Sequence, residues 1–211
     1  MRRGIGRHSL AAWLAAPAVA LVLLTSGARA APEEGVQTVR SFYDALLGTM
    51  QDGATLGQKG RYEKLAPVVL KTFDVPYMTR MAVGARWADL PASAQQRLTD
   101  AFGRYIAATY ADRFDSYSGE KLQVAGERPT DFGTIVESRI VKPDGQPVAI
   151  NYLMHQQDRS WRIADVYLTG TVSELATRRS EFTSILARQG VDGLVATLDR
   201  KTETLLASNG R

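Results

Sequence analysis

The chain of 211 residues contains no cysteine. This absence excludes disulfide bonds, catalytic thiols and metal sites built from thiolates. Any exported form of the protein would therefore have to be stabilised by packing alone.

Histidine is almost as scarce, with His8 near the N-terminus and His155 in the body of the chain. A transition-metal site needs several His or carboxylate ligands at close spacing, and the sequence has no such group. A Ser-His-Asp triad would need His155 as its base, but no G-x-S-x-G elbow occurs. The glycines Gly53, Gly57 and Gly60 lack the Lys-Ser/Thr pair of a phosphate-binding loop. We therefore expect no cofactor, no metal and no catalytic residue.

Asp165 is the most interesting carboxylate. It lies in the predicted strand WRIADVYL, where alternation places it on the same face as Trp161, Ile163 and Tyr167. On a concave sheet face it could shuttle protons, as in cone-shaped α+β isomerases. We favour a hydrogen-bonded structural aspartate, or one facing water at the strand edge, because no second acid or base accompanies it. A small isomerase- or hydrolase-like enzyme using Asp165 or His155 stays as an alternative.

The first 30 residues have the pattern of a secretory signal peptide. Three arginines open the segment, and an apolar run from Leu10 to Leu24 follows them. Ala28-Arg29-Ala30 then provides a small-x-small cleavage site before Ala31. The alternative, an uncleaved membrane anchor, is disfavoured by the short run. We therefore predict a signal peptide at residues 1–30, a single domain at residues 31–211 and a periplasmic location.

Cleavage would remove the excess of positive charge. The predicted signal holds four of the 26 basic side chains and no acidic one, so the rest of the chain has 22 basic and 22 acidic side chains. A balanced charge gives no electrostatic reason to expect a nucleic-acid partner. The remaining length is sufficient for one domain with a real core.

The spacing of apolar residues predicts helices before and after a central set of strands. Glycines, prolines and capping residues mark their ends. The predicted helices cover residues 36–50, 61–73, a short segment from Asp74 to Gly84, a long one from Pro91 to Ser118, 173–188 and 191–207. Two further features are a Gly-rich break at 53–60 and a capping box at Thr171 and Glu174.

Four segments between the helices alternate as strands do. They span 122–126, 134–141, 148–154 and 160–168, with a Lys142–Gly145 turn between the second and third. Short connections between successive strands favour an antiparallel meander. The predicted fold is α+β, with a four-stranded antiparallel sheet packed against several helices.

Aromatic residues and methionines recur at helical spacing between Phe73 and Tyr117. Such a stripe is usually ordinary core. Methionine also adapts to irregular apolar cavities, so Met78, Met81 and Met154 suit either role. Periodicity alone does not decide between a core and a cavity.

Two blocks of the sequence resemble the MlaC / toluene-tolerance family of periplasmic lipid-binding proteins. The first block carries Phe73-Asp74, Met78, Arg80, Gly84, Trp87, Gln96, Phe102, Tyr110 and Tyr117. The second carries the strand WRIADV, a glycine turn, Arg179, Phe182, Gly190 and Leu194. Within the family, FDSYSGE and TVSELATRRSEF are more similar to the hopanoid-associated, HpnM-like branch than to the phospholipid carriers.

The resemblance implies an apolar pocket between the sheet and the helices, which holds the apolar part of a lipid. The candidate lining residues are Phe73, Met78, Met81, Val83, Trp87, Ile106, Tyr110, Val136, Ile150, Tyr152, Met154 and Val166. The implied function is a periplasmic lipid carrier, with hopanoid preferred to phospholipid as the ligand. Implied partners are an inner-membrane transporter, RND-type for hopanoid or MCE-type for phospholipid, and an outer-membrane acceptor. We expect a monomer. A lipid-free interaction module, which would enclose no cavity, is a further alternative.

Overall fold

Five α-helices and five strands make up the part of the chain that a computed structural model describes, residues 34–208. The predicted signal peptide lies outside these residues. The helices are α1 (Glu34–Gln51), α2 (Gly53–Thr72), α3 (Val75–Val83), α4 (Ala92–Arg113) and α5 (Glu174–Ala207), with a short 3-10 helix at Gly84–Asp89 between α3 and α4. The strands are β1 (Lys121–Thr130), β2 (Gly133–Val141), β3 (Pro147–Gln157), β4 (Ser160–Leu168) and β5 (Val172–Ser173).

Helices α1 and α2 follow each other with almost no gap. The apolar stripe of α1, which includes Val39, Phe42 and Leu46, is fully buried, as its spacing predicts. The Gly-rich break predicted at 53–60 is wrong in its extent. Helical residues fill this segment, and the backbone leaves helical geometry only at Gly57, with φ 60° and ψ −178°.

Helix α3 has the ends that its sequence predicts. The Asp74 carboxylate accepts a hydrogen bond from the Tyr77 amide at 3.1 Å, which caps the first turn. Gly84 ends the helix with a φ of 73°, in the region that favours glycine. Helix α4 ends at Arg113, five residues before the predicted stop at Ser118.

The sheet is fully antiparallel, with its five strands in sequence order. The prediction of four strands is therefore wrong by one. Strand β5 contributes only two residues, Val172 and Ser173, which pair with Leu168 and Tyr167 at the end of β4. Two residues are too few to show an alternating pattern, so no periodicity could have revealed this strand.

A bulge in β4 changes which side chains share a face of the sheet. Leu153 pairs with Asp165, whereas the next residue, Met154, pairs with Ile163. Ala164 is the extra residue in β4, and it reverses the alternation at this point. The prediction that Asp165 shares a face with Trp161 and Ile163 is therefore wrong, whereas Tyr167 does share its face. Asp165 lies on the other face, opposite Leu153.

Helix α5 begins one residue after strand β5. Its N-cap is Ser173, whose Oγ accepts a hydrogen bond from the Ala176 amide at 2.9 Å. The predicted capping box at Thr171 is therefore wrong by two positions. The predicted break at Gly190 is confirmed: this residue has φ 65° and ψ −167° and divides α5 into two helical segments.

The second segment of α5 runs alongside α4 in the same direction. Arg97 pairs with Asp192 and Arg104 pairs with Asp199, both at 2.7 Å, so the partners advance by seven residues on each helix. These exposed ion pairs contribute little stability but match the register of the two helices. The Phe102 and Phe182 rings meet edge to face, with centroids 5.1 Å apart, beneath them.

The main core lies between the helices and one face of the sheet. Its largest fully buried side chains include Phe42, Phe73, Phe102 and Tyr152. A small second cluster around Ile135, Leu153 and Ala164 covers part of the other face. Between residues 34 and 208, none of the helices combines the length and the apolarity needed to cross a bilayer.

We expect Gly190→Ala to destabilise the protein by about 1–3 kcal/mol, because the backbone at Gly190 lies in a region that is essentially restricted to glycine. Gly48→Ala is the matched control. Gly48 lies inside α1, and a Cβ there would meet no atom within 4 Å. This control should stabilise the protein by about 0.5–1 kcal/mol. Urea denaturation measures both, and shifts of the same sign would contradict the assignment of Gly190.

Candidate functional site

An apolar cavity of about 140 Å³ lies between the sheet and helices α3, α4 and α5. Strands β3 and β4 form its floor, because Ile150 pairs with Leu168 and Tyr152 pairs with Val166 across the two strands. All four side chains point to the same face of the sheet.

Helix α4 supplies one wall of the cavity. Residues from Phe102 to Phe114 line it at spacings of three and four, which keep them on one side of the helix. Phe73, at the end of α2, and Met78, in α3, close the cavity from the helical side.

Seven of the twelve predicted lining residues border this cavity. They are Phe73, Met78, Ile106, Tyr110, Ile150, Tyr152 and Val166. The other five, which are Met81, Val83, Trp87, Val136 and Met154, do not line it. Val136 and Met154 are completely buried in the core, and Val83 is buried at the end of α3. Contact of any of the twelve with lipid stays a prediction.

Nine further lining residues are not among the twelve predicted from the sequence. They are Phe102, Tyr105, Thr109, Arg113, Phe114, Leu168, Glu174, Leu175 and Arg178. Those on α4 belong to the stripe that predicted the helix, so continuing the spacing from Ile106 and Tyr110 would have found them. Glu174, Leu175 and Arg178 reach the cavity only because α5 begins beside β4, which no local pattern shows.

A cluster of aromatic rings lies between the cavity and helix α1. The Phe42 ring meets Phe73, Tyr110 and Tyr152 edge to face, with centroid distances of 5.3, 5.1 and 6.4 Å. Edge-to-face pairs add about 0.5–1.5 kcal/mol each beyond the burial of their area. The cluster therefore gives this side of the cavity a defined shape. The Tyr110 ring also stacks on Phe114, 5.7 Å away.

Tyrosine hydroxyls supply the polar groups beside the floor. The Ser138 hydroxyl donates to the Ile150 carbonyl, so the Tyr43 hydroxyl donates to Ser138 Oγ, at 2.6 Å. Burial raises the pKa values of Tyr110 and Tyr152 well above 10.0. Both phenols are therefore neutral at physiological pH and serve as hydrogen-bonding groups rather than as bases.

Charged residues gather at the edge of the cavity, where α4 meets α5. Arg178 makes 3.2 Å ion pairs with Glu174 and Glu181 and lies over the Tyr105 ring. Burial raises the pKa of Glu181, but the hydrogen bonds from Lys201 and Arg178 lower it by more. The net result is a pKa below the ordinary value of a glutamate. The carboxylates of Glu174 and Glu181 thus balance the positive charge of Arg178.

Neither candidate for acid–base chemistry lies in the cavity. Asp165 accepts hydrogen bonds from the Val166 amide at 2.7 Å, the Ser173 hydroxyl at 2.6 Å and the Leu175 amide at 3.1 Å. It is 5% exposed and holds the start of α5 against β4. His155 is hydrogen-bonded through Nε2 to the Phe132 carbonyl. Across residues 34–208, no group of His, Asp and Glu could hold a metal ion.

Comparison with known proteins agrees with the fold. A family model described as MlaC protein matches residues 40–200. A protein of Haemophilus influenzae called "Intermembrane phospholipid transport system binding protein MlaC" is 22% identical over 146 residues, which are 67% of this chain and 68% of the relative. The structure of the phospholipid-binding protein from Ralstonia solanacearum in complex with a phospholipid superposes with a TM-score of 0.69. It is 24% identical, and the match covers 82% of this chain and 98% of that one. These matches identify a family of binding proteins, not of enzymes.

We expect Asp165→Ala to destabilise the protein by at least about 2 kcal/mol, because it leaves buried donors of Val166, Ser173 and Leu175 without an acceptor. Asp131→Ala, at an exposed position, is the control and should change stability by less than about 0.5 kcal/mol. Urea denaturation measures both variants. A stable Asp165→Ala protein would rule out the structural role.

The pH dependence of stability provides an independent test of Asp165. Burial raises the pKa of this carboxyl above its ordinary value of 3.8, against the opposing effect of its three hydrogen bonds. The folded protein thus binds the proton more tightly than the unfolded chain. Ionisation therefore lowers the free energy of unfolding as pH rises from below 3.8 through the raised pKa. The stability of Asp165→Asn relative to the parent should rise over the same range. Urea titrations at a series of pH values measure the difference, and one that is constant with pH would contradict the raised pKa.

Proposed function

Because this chain belongs to the MlaC protein family, we propose that it is a periplasmic carrier that binds an apolar lipid and passes it between membrane-bound partners. The observation that carries the proposal is the cavity between the sheet and helices α3, α4 and α5. It is lined mainly by aromatic and aliphatic side chains, and neither Asp165 nor His155 borders it. Such a lining suits binding without chemistry.

The energetics of lipid transfer favour a cavity of this kind. A lipid free in water exposes apolar surface at a cost of about 25 cal/mol per Å². A carrier must offset this cost yet release the lipid again, so apolar contacts with few polar anchors are suitable. At about 140 Å³ the cavity is smaller than the roughly 300–1,000 Å³ of typical ligand pockets. Its walls must therefore move apart to accept a lipid tail.

The comparisons support phospholipid as the ligand class. The Haemophilus relative is named for phospholipid transport, and the Ralstonia structure contains a phospholipid. A phospholipid would place its acyl chains against the floor formed by Ile150, Tyr152 and Val166. Its headgroup would lie near the charged edge where Arg113 and Arg178 border the cavity. We propose lipid contact for the seven predicted residues that line the cavity.

Hopanoid is the second candidate ligand, and a structural observation favours it. The two segments that resemble the hopanoid-associated branch, 114–120 and 171–182, both reach the cavity. Phe114 lines it from the first segment, and Leu175 and Arg178 line it from the second. The residues by which this chain resembles that branch are thus placed to select the ligand.

We propose that the membrane transporter with which this protein works depends on the lipid that it carries. A phospholipid carrier would exchange its cargo with an MCE-type inner-membrane system, and a hopanoid carrier with an RND-type exporter. An outer-membrane acceptor would complete either route. We propose a monomer as the working form, exported by the signal peptide at residues 1–30.

Mass spectrometry of the lipids that co-purify from the native host tests the proposal. We expect one lipid class in stoichiometric amounts. Recovery of phospholipid alone would exclude the hopanoid candidate, recovery of hopanoid would select it, and recovery of no lipid would argue against a carrier.

A cavity-filling variant tests the site. Ile150→Trp places an indole in a cavity of about 140 Å³, so we expect lipid occupancy to fall at least about tenfold while the circular dichroism spectrum is retained. Leu70→Trp adds the same side chain at a position that is 52% exposed and does not line the cavity. Lipid occupancy of this control should equal that of the parent. Full occupancy of Ile150→Trp would show that lipid binds elsewhere.

A further inference from the structure

A second depression, which we call the basic groove, lies on the other side of the aromatic cluster. It measures about 750 Å³ and is open to solvent. Helix α1 forms one side, the last turn of α2 forms another, and the β3–β4 turn forms the third. None of its lining residues borders the apolar cavity.

Three cations line the basic groove: Lys71, Arg159 and Arg162. None of them makes an ion pair within residues 34–208, and Glu34 is the one acidic side chain among the described residues that line the groove. Four of the thirteen arginines elsewhere in the described chain make ion pairs: Arg97, Arg104, Arg128 and Arg178.

One side-chain nitrogen of Arg162 lacks a hydrogen-bond partner. Its Nε is buried and has no hydrogen-bond partner in the described part of the chain. A buried donor without an acceptor costs about 1–3 kcal/mol, and a shift of the Arg162 side chain toward an acceptor in the groove would relieve this cost. Guanidinium groups pair especially well with phosphate, because two parallel N–H groups match two oxygens. Lys71 and the Ser41 and Thr72 hydroxyls add further donors around the groove.

The Phe42 ring separates the basic groove from the apolar cavity. Phe42 borders the groove, and its ring is in edge-to-face contact with Phe73, Tyr110 and Tyr152, all of which line the cavity. One aromatic side chain therefore stands between a small apolar space and a large cationic one. The cavity alone is too small for a lipid, and the space next to it has the complementary chemistry for a phosphate.

We propose that the basic groove binds the phosphate-bearing headgroup of a phospholipid whose acyl chain passes Phe42 into the apolar cavity. This inference rests on the proposed function and adds a headgroup site to it. It is the alternative to a headgroup placed beside Arg113 and Arg178, and the fluorescence of Trp161 distinguishes the two placements. A free phosphate ion offers the same chemistry, so the experiment separates the two sources.

Trp161 provides a natural reporter, because it lines the basic groove. With Trp13→Phe and Trp87→Phe, it becomes the sole tryptophan of the chain. The probes are two phosphatidylglycerols, one with a nitroxide on the headgroup and one with a nitroxide at the end of an acyl chain. We expect the headgroup label to quench Trp161 fluorescence several-fold more than the acyl-chain label. Equal quenching, or stronger quenching by the acyl-chain label, would overturn the inference.

Native mass spectrometry of the same samples separates this inference from the proposed function. If neither lipid is bound, phospholipid is excluded as the ligand and the headgroup site falls with it, whereas a hopanoid carrier stands. If both are bound and Trp161 is not quenched by the headgroup label, the carrier function stands and only the headgroup site in the groove fails.

Replacing charged residues of the basic groove with neutral glutamine tests whether they bind the phosphate. Arg162→Gln and Lys71→Gln should each weaken binding of phosphatidylglycerol about tenfold, because each removes a charged hydrogen bond to phosphate. Binding of diacylglycerol, which has no phosphate, should be unchanged. Arg188→Gln, which neutralises an exposed arginine on α5 outside the groove, is the matched control and should bind both lipids as the parent does. Parent-like affinity of Arg162→Gln and Lys71→Gln for phosphatidylglycerol would overturn the inference.

Calorimetry with inorganic phosphate distinguishes the source of the anion. We expect inorganic phosphate to bind the lipid-free protein far more weakly than phosphatidylglycerol does, because it cannot fill the apolar cavity. Binding of inorganic phosphate as tight as that of the lipid would show a free-anion site and overturn the lipid assignment.

Discussion

A buried carboxylate on β4 positions the helix that closes the cavity. Asp165 accepts hydrogen bonds from the Ser173 hydroxyl and the Leu175 amide, so it holds the first turn of α5 against the edge of the sheet. A negative charge at a helix N-terminus is also favourable to the helix dipole. With the first turn fixed, Leu175 and Arg178 face α4 and complete the wall. Asp165, the residue that most resembled a catalytic base, thus holds two structural elements together.

The cavity lies where an aromatic cluster, two strands and helix α4 meet. The aromatic cluster of Phe42, Phe73, Tyr110 and Tyr152 packs edge to face, and such rings fill space only at certain angles. Strands β3 and β4 present aliphatic side chains beneath them, and α4 crosses above. A lipid in this space would gain dispersion contacts with the same side chains. Stability and ligand binding therefore depend on the same side chains.

Polar groups around this space occur at two separate places, and their pairing differs. At the α4–α5 edge, Arg178 is balanced by Glu174 and Glu181. In the basic groove, Arg162 and Lys71 have no such partner within residues 34–208. Paired charges hold neighbouring elements together, whereas unpaired ones remain free for a ligand. This difference is the basis of the proposed headgroup site in the basic groove.

Much of the fold could be predicted from local pattern. The stripe of α1, the Asp74 cap and the glycine breaks at Gly84 and Gly190 are as the sequence indicates. Predictions from the sequence were wrong where the local structure depends on contacts between residues that are far apart in the chain. The bulge at Ala164 reversed the alternation that placed Asp165, and β5 was too short to have a period.

The site shows the same division. Helical spacing was enough to place Ile106 and Tyr110 on one face of α4, because an i, i+4 pair always shares a face. It could not show that Met154 and Val136 fill the core while Ile150 and Tyr152 border a space. An apolar side chain has the same pattern whether it meets another side chain or a cavity. The sequence by itself determined which faces are apolar, since periodicity is a local property of the backbone. Only the tertiary structure decided where those faces fail to meet, because a cavity is a property of elements packed together.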